Sequence, residues 1–123
     1  MITGGWLEGH AVKYVEVLRS DGTPWCNLPD LPDYRAYHTQ SGHIACGGQY
    51  TQSSCISFSE GKWMHSHNLT LPRQKHSSWL SDQDGTIILG GDDIAAQKST
   101  EILTDNGVSK NGFSLKYYTR QTL

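Results

Sequence analysis

The sequence predicts an all-β protein assembled from repeated antiparallel units. Three observations carry that prediction. A glycine pair recurs at Gly4-Gly5, Gly47-Gly48 and Gly90-Gly91, with a spacing of 43 residues both times. A fixed period of roughly 20–50 residues marks a repeat architecture. The longest apolar runs are only three or four residues, the length of a strand. Nowhere do apolar residues recur at helical spacing over a dozen positions.

The first unit spans residues 1–32 and shows only its later part. Met1-Ile2-Thr3 reads as the end of a strand before Gly4-Gly5, so the chain is expected to begin in mid-repeat. A polar loop is expected next. Val12 to Leu18 sets Val, Tyr and Leu among charged residues, a strand pattern. Ser20-Asp21-Gly22 is a turn signal. Thr23 to Cys26 is a short strand, and Pro24, which cannot donate to a ladder, places it at a sheet edge. Leu28-Pro29 and Leu31-Pro32 then hold the chain extended and non-helical.

The second unit, residues 33–72, predicts four strands: Tyr34–Thr39, His43–Cys46, Ser54–Phe58 and Lys62–His65. Gly42 and Glu60-Gly61 supply turns, and Leu71-Pro72 closes the unit. The third unit, residues 73–123, repeats the order with Arg73–Leu80, Thr86–Leu89, Ser99–Leu103 and a weak fourth strand at Phe113–Leu115. Its turns fall at Asp84-Gly85 and Asp105-Asn106-Gly107, and it has no closing Leu-Pro. Four short strands per repeat of this length are the signature of a propeller blade.

These residues resemble the Kelch repeat of the galactose-oxidase-like propellers. The resemblance rests on the three glycine pairs, on Trp25 and Trp63 in the fourth strands, and on an Arg-x-x-His step opening each complete unit. That step is Arg35 to His38 and Arg73 to His76. Leu31-Pro32 and Leu71-Pro72 sit where Kelch repeats carry their link. The third unit has no fourth-strand Trp, and the third strands end on Leu18, Phe58 and Leu103 where the family commonly has Tyr. The resemblance implies an incomplete Kelch-type propeller, an open arc of two to three blades that is a fragment of a larger protein. It implies structural roles for the glycines, tryptophans, arginines and histidines of the pattern. It implies a protein-interaction module rather than an enzyme, with no cofactor and a protein partner. A fragment of a galactose-oxidase-like or carbohydrate-binding propeller enzyme is the alternative.

Composition bounds these readings. The chain has 123 residues, enough for one modest domain, and a formal charge of -2. That balance gives no footprint for nucleic acid or an anionic membrane surface, and no apolar run approaches the ~20 residues of a membrane span. No basic start or apolar central region marks a signal peptide in the first residues. Uncovered end faces on an open arc are expected to favour self-association.

Few residues suggest chemistry. His65-Ser66-His67 would put two imidazoles on one face of a strand, but no Asp, Glu or Cys at suitable spacing completes a zinc site. Asp92-Asp93 lacks the ~6–8 oxygens that calcium takes, so a solvated turn is expected there. Cys46 and Cys55 fall on adjacent antiparallel strands, close enough to bridge, which would leave Cys26 unpaired. Three reduced thiols are the other reading. Asn68-Leu69-Thr70 is a glycosylation sequon, and with the cysteines it leans toward an extracellular parent protein. Recognition is expected on the loops Gly48–Ser53 and Asp92–Lys98, on the same side of successive units.

Overall fold

A computed structural model describes residues 1–83, 85–105 and 109–115, except for the side chains of residues 24–27. The described residues form strands and turns, with no helix among them. The first unit is a three-stranded sheet in the order β1 (Ile2–Thr3), β4 (Val15–Leu18), β5 (Pro24–Asn27), all antiparallel. The second is β6 (Thr39–Ser41), β7 (Ile44–Cys46), β8 (Ser54–Ser59) and β9 (Lys62–Asn68), a four-stranded meander. The third meander is β10 (Ser77–Ser81), β11 (Gly85–Leu89), β12 (Thr100–Leu103) and β13 (Ser109–Asn111). Pro24 lies on the outer strand of its sheet, where a missing N–H costs no ladder bond.

The second sheet is buried on both faces. Ala45 and Ile56 pack against Val15 and Leu31 of the first unit, with Trp63, Leu28 and Met1 partly covering them. On the other face Cys46, Cys55 and Leu69 pack against Ile88 and Leu103 of the third unit. Strict alternation produces this division: Ala45 opposes Ile56 and Cys46 opposes Cys55 in the ladder, so each pair projects to one side.

Four elements differ from the sequence reading. The polar loop after Gly5 contains a small hairpin, β2 (Trp6–Leu7) with β3 (His10–Ala11). Glu8 and Gly9 turn it with φ of 51° and 85°, both positive as a type I′ turn requires. Val12 to Tyr14 does not join β4, and Val12 instead bridges to Arg35. The opening strands are shorter than expected, because Arg35 to His38 and Arg73 to His76 are not strand. Tyr37 and Lys75 have φ of 59° and 53°, which breaks an extended run. The last strand is Ser109–Asn111 rather than Phe113–Leu115, since Leu103 pairs with Ser109.

The glycine pairs explain the spacing between sheets. Gly47 has φ +70°, and a Cβ there would lie 2.5 Å from the Arg73 carbonyl oxygen and 2.6 Å from His76 Cε1. Gly4 stands in the same relation to Arg35 and His38. Gly61 also has positive φ, yet a Cβ there would meet nothing within 4 Å. Gly47→Ala is therefore expected to cost about 2–4 kcal/mol, combining backbone strain with the clash, and Gly61→Ala only about 1–2 kcal/mol of strain. Urea denaturation of the two variants measures the difference; equal losses would show that the close approach at Gly47 does not matter.

Candidate functional site

The Arg-x-x-His segments form the seams between units. The backbone of Arg35 crosses to the first unit, its carbonyl accepting from Gly5 N–H at 2.7 Å, and Arg73 does the same with Gly48 N–H at 2.9 Å. The side chains remain in their own sheets. Arg35 donates to the carbonyls of Gly47 and Ser54 and to the Ser54 hydroxyl. Arg73 donates to Gly90, Ala96 and Ser99 carbonyls and to the Ser99 hydroxyl. Each guanidinium thus holds the start of its third strand against the glycine that ends its second. The histidines cross: His38 Nε2 lies 3.0 Å from Thr3 Oγ1 and His76 Nε2 lies 2.9 Å from Thr39 Oγ1. The Thr3 hydroxyl gives its one proton to Gln40 Oε1 at 2.7 Å, so His38 Nε2 must be the donor in that pair.

The two seams differ most at the position of Glu101. Glu101 is fully buried and accepts from Arg73 Nε at 2.8 Å, from Thr70 N–H and from the Ser109 hydroxyl. Ile56 occupies the matching place in the second unit, and Arg35 Nε finds no acceptor there. Burial pushes the Glu101 carboxyl up, but the bonds from Ser109, Thr70 and Arg73, with the Arg73 charge, outweigh it and leave the carboxyl below its ordinary value. Burial, aided by the neighbouring arginine charge, pushes both seam histidines down to about 4.

Other sequence candidates fall elsewhere. A bulge between Cys55 and Ile56 pairs Ile56 with His65 and Cys55 with His67. Ile56 and Cys55 face opposite ways, so the two imidazoles do not share a face as alternation suggested. His65 is exposed, while His67 is buried with Nε2 2.6 Å from the Thr104 carbonyl. Asp93 accepts from Ala95 N–H, an ordinary turn cap, and no group of three or more His, Cys, Asp or Glu among the described residues is arranged to hold a metal. Cys46 and Cys55 form a disulfide, with Cα atoms 4.1 Å apart. The side chains of Trp25 and Cys26 lie outside the described residues. Trp63 reaches the first unit, donating Nε1–H to Pro29 O at 3.0 Å and tilting against Phe58. Asn68 is exposed at the end of β9.

The expected recognition loops both join a second strand to a third. Their sheets pack in the same order, with β6 beside β10, so both loops emerge on one edge. Tyr50 is 64% exposed on the first loop and Ile94 86% on the second. Beside Tyr50 lies a cleft of about 480 Å³ that sequence reasoning missed, with His10, Lys13, Tyr14, Asp30, Tyr34 and Tyr50 among its walls. Its floor is backbone-pinned: Val12 N–H bonds Gly5 O, the Val12 carbonyl accepts from Arg35, and the Lys13 carbonyl accepts from Leu31. Lys13 Nζ sits 4.8 Å over the Tyr34 ring. The residues come from separate stretches of chain, and only their shared seam brings them together.

No protein-family model matches this chain. No curated protein matches it significantly either.

The seam histidines set a pH dependence. Their folded values lie below the ordinary 6.5, so the folded state binds fewer protons and is favoured above pH 6.5. Stability is expected to fall as pH drops from 6.5 toward 4. His76→Gln, which keeps a donor near Thr39, should lose about 1–2 kcal/mol less than the parent chain between pH 6.5 and 5. Denaturant titrations at the two pH values measure this; parallel losses would mean that His76 does not titrate in this way.

Proposed function

We propose that the chain is a segment of a Kelch-type propeller acting as a protein-interaction module, not as an enzyme. The observation that carries this reading is the paired loop edge. Two successive four-stranded sheets, locked by repeated Arg-His-glycine seams, present Tyr50 and Ile94 on loops in the same position. Rigid strands holding exposed loops are a common way to build a recognition surface. The blade reading draws support from the sequence pattern and from the like chemistry of the two seams. Further copies of the unit would extend the same edge.

A protein partner would bury the large exposed side chains of that edge. Tyr50→Ser with Ile94→Ser should abolish crosslinking to the partner identified by mass spectrometry with the parent chain, while thermal unfolding shifts little. An unchanged crosslink pattern in the double variant would refute the loop reading. Trp79 and Leu80, 58% and 59% exposed on β10, offer apolar area for self-association. Sedimentation is expected to show a mass that rises with protein concentration; a monomer at every concentration would remove that part of the proposal.

A further inference from the structure

We propose that the cleft at the first seam is a cation pocket that receives a lysine side chain of a protein partner. The inference rests on the interaction reading and names the chemistry of one part of its surface. Tyr14, Tyr34 and Tyr50 line the cleft, and they are 59%, 53% and 64% exposed. All three rings are open to solvent, and Lys13 covers only that of Tyr34, which leaves Tyr14 and Tyr50 for a ligand. An aromatic face carries negative quadrupole density and attracts an ammonium group, more strongly as water is excluded. Asp30 adds a carboxylate to the same wall. An adjoining recess of about 310 Å³ shares Tyr14 and Asp30 and brings in Glu16. Within the cleft Asp30 balances Lys13, and Glu16 in the adjoining recess adds a further carboxylate beside it, so a positive occupant is favoured over an acidic one.

The chain supplies its own example of the contact. Lys13 Nζ lies 4.8 Å over the centroid of Tyr34, inside the ~6 Å range of a cation–π interaction. Lys13 thus occupies one of the three rings and leaves Tyr14 and Tyr50 for the partner. The same pairing recurs outside the cleft, where Lys75 Nζ lies 5.0 Å over Tyr37. The volume falls within the ~300–1,000 Å³ of ordinary ligand pockets, and a few polar groups among aromatic walls are what fixes orientation in such sites. Tyr50 also belongs to one of the two recognition loops, so a partner engaging that edge would pass the mouth of the cleft.

The test uses the whole chain and a minimal probe. Tyrosine ring resonances are followed by NMR while Nα-acetyl-lysine methylamide is added, with the norleucine and glutamate analogues as neutral and acidic controls. The lysine probe is expected to shift Tyr14 and Tyr50, and the controls to leave them in place. Asp30→Asn should weaken lysine binding roughly 3–10-fold, the effect of a partly exposed charge pair. Lys13→Met should tighten it roughly 2–5-fold by freeing the third ring. Asp30 is exposed and Lys13 only half-buried, so both variants should keep the fold. Equal shifts with norleucine, no shift with lysine, or weaker binding after Lys13→Met would each overturn the proposal. A silent cleft would leave the loop-edge reading standing, because the crosslinking of Tyr50 and Ile94 variants tests that edge without reference to lysine. Loss of the loop reading with intact lysine binding would separate the two in the other direction.

Discussion

The buried guanidinium of Arg73 is the interaction on which the rest of the fold depends. It is 1% exposed, and its charge is met by the Glu101 carboxylate and three backbone carbonyls. A buried charge left without such partners costs several kcal/mol, so the surrounding backbone has little freedom to move. The carbonyls of Gly90 and Ser99 must converge on one nitrogen, which sets the distance between β11 and β12 at the seam end. The Arg73 main chain meanwhile receives the Gly48 N–H of the second unit. One residue therefore fixes the geometry within its own sheet and the docking of that sheet on the one before.

Arg35 repeats the arrangement with two hydrogen-bond acceptors fewer, lacking counterparts of the Glu101 carboxylate and the Ala96 carbonyl. Ile56 stands where Glu101 stands in the next unit, and the apolar side chain serves the core against Val15 and Leu31 instead. The second unit gains a continuous apolar seam and leaves Arg35 Nε without an acceptor. The third gains a satisfied ion pair and gives up an apolar contact. Asp33 lies 3.5 Å from Arg35, but it is half exposed, and such a pair contributes little. The disulfide of the second unit lies on the opposite face, among Leu69, Ile88 and Leu103.

Much of the sheet order was legible in the sequence. The glycine pairs could be read because a close approach at positive φ leaves few other residues possible, and Glu60-Gly61 could be read as a turn for a similar reason. Cys46 and Cys55 could be placed side by side because the two strands they occupy are joined by one loop. The errors have physical causes. Tyr37 and Lys75 take left-handed conformations that nothing in their side chains requires, so the Arg-x-x-His segments read as strand. The bulge opposite Cys55 and Ile56 inverts the alternation that made His65 and His67 look like partners. The tyrosine cleft has no local signature at all, since Tyr14, Tyr34 and Tyr50 meet only when the first two units dock.

The central claim is that the seam network couples the units into one cooperative structure. Native-state hydrogen exchange on Arg73→Met tests it most directly. Gly48 and Lys75 donate their amides across the seam, to Arg73 and Tyr37 carbonyls, whereas Phe58 donates within the second unit to His43. Removing the guanidinium leaves Glu101 buried without its counter-charge, held by the Thr70 amide and the Ser109 hydroxyl, a loss of about 3–5 kcal/mol. The account predicts that the Gly48 and Lys75 amides then open well before Phe58, so that the third unit undocks while the second persists. Uniform loss of protection at all three amides, or none, would contradict it.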